Sequence, residues 1–359
     1  MSGGVTPDLP TRVNRRNGFP ESELEKRGLK LETGAPVTGA IAVGEAVAVA
    51  SGDGTVRFFR PGTDPTVTKA HDGAVLCLAA DADHVLTGGD DGRCLRISPD
   101  GQVEEIASFG SRWVDCVAAG HGQRACSSGR TVHVWRMRES SATSLEHVST
   151  VGGLAFDSKG KRLAVAHYGG ATVWERGERR WKPSKLVWKG SHGAVSFSPD
   201  GKYLVTAMQE NALHGWRLRD KGNMAMQGYP AKIKSFAWAG DAPHLVTSGA
   251  DEAICWPFDG KDGPMGRAPL CVAHGGKRLA TCVQSLSEEN AVFAGFQDGA
   301  VLLAELDEAK ESIVIRGSSG AEVTAIAATK SLSHVLIGDA KGNVLWATLW
   351  AGGRHARIV

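Results

Sequence analysis

The densest group of charged and aromatic side chains in this 359-residue sequence is the stretch ERGERRWKPSKLVWKG at residues 175–190. Arginine and lysine can neutralise phosphates while tryptophan stacks on bases, so nucleic-acid binders use this composition. Glu175 and Glu178 dilute the positive charge, and the same composition is typical of a solvated loop and outer strand. Binding of nucleic acid or of an acidic partner is therefore kept as the alternative function. Its candidate residues form a basic rim patch: Arg176, Arg179, Arg180, Trp181, Lys182 and Lys185.

Residue types that catalyse reactions or hold metals do not occur here in any recognised spacing. The sequence has no Gly-x-x-x-x-Gly-Lys loop, no Gly-x-Ser-x-Gly elbow and no His-Glu-x-x-His motif. The 7 cysteines include no Cys-x-x-Cys pair, and we interpret them as small buried side chains. We therefore predict a non-catalytic protein with no cofactor and no metal, and keep an enzyme built from scattered loop residues as a third alternative.

Composition indicates a globular protein with a large core. Hydrophobic residues make up 42% of the chain and charged residues 22%, and the formal net charge is +2. This charge is too close to zero to indicate a dedicated nucleic-acid binder. No stretch reaches the roughly 18 consecutive apolar residues of a membrane span, and the N-terminus lacks a secretory signal. We expect a soluble, cytoplasmic protein that is monomeric by itself.

A pattern repeats about every 40 residues along the chain. Each repeat ends a predicted third strand at one of eight marks: Phe59, Ile97, Trp135, Trp174, Trp216, Trp256, Ala304 and Ala347. Each repeat also has a small residue at the third position of its first strand: Gly39, Cys77, Cys116, Gly153, Ala194, Ser235, Cys282 and Ala325. A single meander cannot bury both faces, and radial stacking of meanders forms a propeller. The sequence thus predicts an all-β propeller of eight four-stranded antiparallel blades.

Turn motifs in these repeats carry a resemblance to a known family. Asp-Gly turns at residues 53–54, 91–92 and 298–299 precede third strands, and FSPDGKYLVTA (197–207) joins a first to a second strand. In these features the chain, from Lys30 onward, resembles the WD40 repeat family. The resemblance implies a buried His–Asp hydrogen bond, which is expected only between His71 and Asp91. Tryptophan occupies four of the eight marks and is never followed by aspartate, so apolar packing is expected to hold most of the other blades.

The domain prediction is a polar flexible tail at residues 1–23 and a propeller at residues 24–359. Segments between the repeats supply seven outer strands, so a terminus must supply the eighth. Both LKLETG (29–34) and RHARIV (354–359) fit. The N-terminal segment is favoured because propellers of the resembling family usually close in this way. If the propeller has fewer than eight blades, we expect the missing blade in the 48-residue interval from Trp256 to Ala304. This interval contains DGKDGPMGR (259–267), which lengthens a loop.

A rigid ring with converging loops favours a protein–protein interaction scaffold. The resemblance implies that an unidentified protein partner docks around the mouth of the central channel. Trp113 beside Arg112 has the composition of an interface anchor, although Trp113 could instead pack between blades. Asp115 makes the predicted face acidic near the third repeat, and Lys232 and Lys234 make it basic near the sixth. The candidate residues are Asp90, Arg112, Trp113, Asp115, His167, Tyr168, Gln209, Lys232, Lys234, Gln297, Glu322 and Thr324.

Overall fold

The computed structural model describes residues 18–136, 139, 141–178, 180–286, 289–307 and 310–349. These residues form one short helix and a series of antiparallel strands. The first elements are α1 (Glu23–Arg27), β1 (Leu29–Glu32), β2 (Val37–Val43), β3 (Ala46–Ser51), β4 (Thr55–Phe59), β5 (Thr66–Lys69), β6 (Val75–Asp81), β7 (His84–Gly89), β8 (Arg93–Ile97) and β9 (Val103–Ser108). Next come β10 (Val117–Gly120), β11 (Gln123–Ser128), β12 (Thr131–Arg136), β13 (Thr143–Glu146), β14 (Val151–Phe156), β15 (Arg162–Arg176), β16 (Trp181–Phe197), β17 (Tyr203–Met208), β18 (Leu213–Arg217) and β19 (Gly222–Met226). The last are β20 (Phe236–Ala239), β21 (His244–Thr247), β22 (Ala253–Pro257), β23 (Leu270–Val272), β24 (Ala280–Leu286), β25 (Ala291–Phe296), β26 (Val301–Glu305), β27 (Ile313–Arg316), β28 (Val323–Ala328), β29 (His334–Asp339) and β30 (Asn343–Thr348).

The strands of the described residues group into seven hydrogen-bonded sheets, which are the blades of a propeller. Six blades have four strands: β2–β5, β6–β9, β10–β13, β20–β23, β24–β27, and β28–β30 with β1. The seventh contains six strands, β14–β19. The prediction of eight four-stranded blades is therefore wrong.

The physical reason for the difference lies in β16. This strand runs unbroken from Trp181 to Phe197, so the outer strand of the fourth repeat continues into the inner strand of the fifth. The two repeats share one sheet, whereas we expected a break between them. Residues 259–267, which lengthen the interval from Trp256 to Ala304, form turns between β22 and β23 and do not alter the number of blades.

The inner strands contact one another in a closed succession. β2 contacts β6, β6 contacts β10, β10 contacts β14, β14 contacts β16, and β20, β24 and β28 lead back to β2. Trp238 Nε1 in β20 donates to Ser196 Oγ in β16 at 3.0 Å, which joins the two halves of this circle. The six-stranded blade contributes two strands, β14 and the second half of β16, to the inner ring.

Crowding between neighbouring inner strands explains their small residues. A methyl group added at Gly39 would lie 2.4 Å from Leu78 Cδ2 of the next blade, and one at Gly153 would lie 2.5 Å from the Gly193 carbonyl oxygen. The second strands are sandwiched between neighbouring sheets, and every residue of β3 and β25 is buried. The core therefore consists of apolar layers between blades. This agrees with the prediction from the third-strand marks and the small first-strand residues of the repeats.

The N-terminal segment closes the ring, as predicted. β1 pairs with β30 in antiparallel register, from Leu29 opposite Trp346 to Glu32 opposite Asn343. The residues before β1 also pack on the propeller: Phe19 is buried, its N–H donates to Ser318 Oγ at 2.9 Å, and Ser22 Oγ donates to the Ile315 carbonyl at 2.6 Å.

Phe19 and Ser22, which the domain prediction places in the tail, thus contact the propeller. Residues 1–17 of the predicted tail and the segment 354–359 lie outside the described residues. In the part of the chain that the structure describes, no helix combines the length and hydrophobicity that crossing a membrane requires.

Candidate partner-binding face

Antiparallel topology brings the candidate residues to one end of the blades. Alternate connections of an up-and-down sheet lie at the same end, and here these are the turns from second to third strands and the links from each outer strand to the next inner strand. We call this end the loop face. β15 doubles back at Tyr168–Gly170 within it, since the Arg176 N–H at the opposite end of the hairpin donates to the Lys161 carbonyl at 2.8 Å.

Several contacts show that loops from different repeats meet on the loop face. Tyr168 lies opposite Ser191 in the sheet, and the Gln209 N–H donates to the Ser191 carbonyl at 3.0 Å. Lys234 Nζ forms an ion pair with Glu322 Oε1, which joins the link before β20 to the link before β28. The expected separation into acidic and basic arcs is therefore interrupted by a neutralised pair.

Exposure divides the predicted residues into three groups. Seven are exposed: Arg112, Trp113, Tyr168, Gln209, Lys232, Lys234 and Gln297. Four are half-buried: Asp90, Asp115, Glu322 and Thr324. His167 is buried, with Nδ1 bonded to the Tyr168 carbonyl and Nε2 to Thr172 Oγ1, both at 3.0 Å. His167 therefore holds the hairpin and is not offered to a partner.

Trp113 does not pack between blades. It is 61% exposed, while its neighbour Val114 is fully buried and anchors the link before β10. Tyr168 is 60% exposed at the tip of the β15 hairpin. Two large aromatic side chains thus lie in solvent on one face, and such residues commonly anchor interfaces.

Two exposed aliphatic residues that sequence reasoning missed extend this surface. Val148 lies in the link before β14, where Ser149 Oγ accepts the Tyr168 N–H at 3.0 Å. Val187 lies opposite Gly170 in the sheet, so both valines are close to the hairpin tip. We call Val148, Tyr168 and Val187 the Tyr168 patch. An isolated valine in the polar link EHVST was the available signal for Val148.

The basic rim patch lies at the opposite end of the sheet, at the turn from β15 to β16. Arg176, Arg180, Lys182 and Lys185 are exposed, and these four form no ion pair with the described residues, whereas Arg179 lies outside those residues. Trp181 is buried and packs with Val134 and Leu145. Its indole is therefore closed to a nucleic-acid base, and the patch offers charge without the predicted aromatic surface.

The predicted bond between His71 and Asp91 is present. His71 Nδ1 lies 2.9 Å from Asp91 Oδ1, and Nε2 lies 2.9 Å from Thr87 Oγ1. The expectation that apolar packing holds most other blades is incomplete, because polar contacts take the same place elsewhere. Trp174 Nε1 donates to His147 Nε2 at 2.9 Å.

The link before β20 contains another such contact. Tyr229 Oη lies 2.6 Å from Thr247 Oγ1 and accepts from Trp256 Nε1 at 2.6 Å. Burial raises the pKa of Tyr229 to about 12, so the phenol keeps its proton. His71 stands six residues before Cys77, the small residue of its inner strand, and His147 and Tyr229 likewise stand six residues before Gly153 and Ser235. Trp188 holds this position in the fifth repeat, and a polar or aromatic residue there was the signal missed in the sequence.

Trp188 covers a histidine that the structure keeps neutral. Its ring stacks on His214 with a centroid distance of 4.0 Å and an interplanar angle of 15°. Burial lowers the pKa of His214 to about 4, and the neighbouring His192 acts in the same direction. Asn223 Oδ1 lies 3.1 Å from His214 Nε2.

Mild acid is expected to destabilise the protein through His214. A histidine with an unfolded pKa near 6.5 and a lower folded pKa contributes stability that is fully present above pH 6.5 and is lost as pH falls toward the folded pKa. Between about pH 7 and pH 5.5 we expect His214 to lower the free energy of unfolding by about 1 kcal/mol. His214→Phe should reduce this pH dependence in urea unfolding, and equal slopes for variant and wild type would contradict the assignment.

The cysteines and acidic side chains show no metal centre in the described parts of the chain, where no group of three or more potential ligands converges. Cys116 and Cys282 occupy the predicted small positions of inner strands, and burial raises the pKa of each thiol to about 12. Such protonated thiols are poor nucleophiles and poor metal ligands.

Comparisons with known proteins agree with this architecture. The family model for the WD40 repeat, described as WD domain, G-beta repeat, matches residues 62–95. Curated protein sequences give no significant match. Among solved structures, the chain is similar to the crystal structure of the computationally designed Ika8 protein, with a TM-score of 0.72 and 18% identity over 88% of this chain and 97% of that chain. The matched repeat and the closed ring of antiparallel blades together support the predicted resemblance to the WD40-repeat β-propeller family.

Proposed function

We propose that this protein is a non-catalytic interaction scaffold that binds a protein partner on the loop face. WD40 propellers generally act as interaction scaffolds, which supports the coarse assignment. The observation that carries the choice of face is the exposure of Trp113 and Tyr168, each about 60%, on loops held by a rigid ring. Exposed aromatic residues beside an arginine favour a protein interface. A cytoplasmic location and a monomeric state stay predictions from the sequence.

Trp113→Ala is expected to weaken partner binding by at least about 2 kcal/mol, roughly 30-fold in Kd, because a central tryptophan commonly dominates an interface. The melting temperature should stay unchanged, since exposed side chains contribute within about 0.5 kcal/mol to stability. The measurement is quantitative affinity capture from the source cells with wild type, Trp113→Ala and Tyr168→Ala, followed by titration of the captured protein.

Val67→Ala is the matched control, because Val67 is an exposed apolar residue of the outer strand β5, away from the loop face. If Val67→Ala failed to capture the partner while both aromatic variants still captured it, the binding site would lie on the rim and not on the loop face. Binding of a labelled oligonucleotide that weakens steeply with salt and disappears when Lys182 and Lys185 are replaced would instead support the alternative, nucleic-acid function.

A further inference from the structure

A cleft of about 460 Å³ opens on the loop face beside the Tyr168 patch. Its volume lies in the usual range of ligand sites, about 300–1,000 Å³. Trp188 forms one wall, the turn after β17 with Glu210 forms another, and the link before β20 with Tyr229 forms a third. The strand β16 and two separate loops thus shape a concave site that neither the family resemblance nor the proposed interface accounts for.

Glu210 is the single full charge among the residues that line the cleft. Its Oε1 accepts the Ser191 N–H at 3.2 Å, and this bond positions the side chain. Its Oε2 accepts no hydrogen bond from the described residues, so that oxygen remains available to a donor. His214, also in the lining, stays neutral at physiological pH and adds no opposing charge. The cleft therefore favours a cation over an anion.

Trp188 supplies a flat aromatic surface next to this carboxylate. One face of its indole stacks on His214, while 38% of the side chain remains exposed. Contact with a buried ring fixes the orientation of the indole before any ligand arrives. Planar guanidinium groups stack on aromatic faces and form paired hydrogen bonds with carboxylates, whereas an ammonium group acts as a point charge. An aromatic surface beside a carboxylate matches the guanidinium better.

We infer that this cleft binds an arginine side chain of the protein partner, with the guanidinium stacked on Trp188 and hydrogen-bonded to Glu210. The inference rests on the proposed function, because it supplies a specificity pocket at the edge of the loop face. It adds the requirement that the bound segment carries an arginine.

The test uses the pentapeptide Ac-Gly-Gly-Arg-Gly-Gly-NH2 and the full chain labelled with 5-fluorotryptophan. Fluorine NMR resolves tryptophans by environment, and the Trp188→Phe variant assigns the Trp188 resonance by its loss. We expect the arginine peptide to shift this resonance saturably with a Kd on the order of 1 mM, as befits one side chain. The Trp113 resonance, assigned with Trp113→Phe, should not move.

Glu210→Gln should raise this Kd about tenfold, corresponding to a lost charged hydrogen bond. Glu175→Gln, which neutralises an exposed glutamate at the opposite end of the sheet, should leave it unchanged. Equal shifts by peptides with leucine or lysine in place of arginine, or an unchanged Kd in Glu210→Gln, would overturn the inference. Trp113→Ala should bind the peptide normally, so failure of the partner-capture experiment and failure of this one are distinguishable.

Discussion

Asp339→Asn is expected to lower the free energy of unfolding by about 3–5 kcal/mol, because it leaves the charge of Arg316 buried without a counter-ion. Arg316 Nη2 donates to Asp339 Oδ2 at 2.7 Å, and the two side chains are only 6% and 0% exposed. Arg316 Nη1 has no hydrogen-bond partner in the described structure, so the guanidinium depends on this aspartate. The pair ties the end of β27 to the end of β29 in the next blade.

The charge state of Asp339 follows from two opposing effects. Burial opposes its ionisation, yet hydrogen bonds from Arg316 and Asn343 hold its pKa below the ordinary value. A carboxyl whose folded pKa is depressed contributes stability above its unfolded pKa, and this contribution is lost as pH falls through the folded pKa. The ion pair between Arg316 and Asp339 should therefore stabilise the wild-type protein at neutral pH, and this stabilisation should be lost only below about pH 4.

Urea unfolding at pH 7 measures the effect, with Glu23→Gln as the control for an exposed pair. Glu23 and Lys26 are 2.7 Å apart but well exposed, so that change should leave the free energy of unfolding nearly unchanged. Adding Arg316→Met to Asp339→Asn should recover most of the loss, since no buried charge then remains unpaired. A loss of less than 1 kcal/mol in the single variant would show that the pair is effectively solvated.

Removal of the closing segment is the second large effect. We expect a chain that begins at residue 34 to be less stable than one that begins at residue 18 by at least about 4 kcal/mol. The shorter chain loses the pairing of β1 with β30 and the buried Phe19, and it exposes the edge of β30. Leu24 and Leu31, which pack against the core on either side, are lost as well.

Differential scanning calorimetry of the two chains tests this expectation. Phe19→Ala in the longer chain should account for about 3 kcal/mol, because a buried phenylalanine leaves a cavity when truncated. Identical melting temperatures for the two truncated chains would mean that the segment merely lies on the propeller without stabilising it.

Much of the fold was predictable because radial packing imposes a strict demand on each repeat. The crowded inner strand admits only small residues, which is why Gly39 and Gly153 marked their strands in the sequence. Closure by β1 and the bond between His71 and Asp91 were also predicted correctly. The resemblance to the WD40 repeat family carried these two predictions, whereas the small residues follow from packing at a fixed period.

What escaped prediction depends on contacts between repeats. The run through Lys189–Ser191 is as polar as any link, yet pairing with both neighbours keeps β16 continuous and joins two repeats in one sheet. Tyr229 and Trp188 occupy in their repeats the position that His71 occupies in the second repeat. Only the structure shows that Tyr229 makes similar hydrogen bonds while Trp188 instead covers a histidine. Exposure of Trp113 was likewise undecided in the sequence, because tryptophans serve as core and anchor alike.

The pairing of β1 with β30 also determines how the protein responds to a pulling force. The chain enters β1 at Leu29, directly opposite Trp346, where it is about to leave β30. Tension between the two chain termini therefore acts at one end of the antiparallel pair of β1 and β30. Its hydrogen bonds would break one after another instead of bearing the force together. Before that point the force must detach Phe19 and Ser22 from their contacts with Ser318 and Ile315. A tethered molecule would thus resist stretching at its N-terminal anchor first, and the ring would open there while the remaining blades stay stacked.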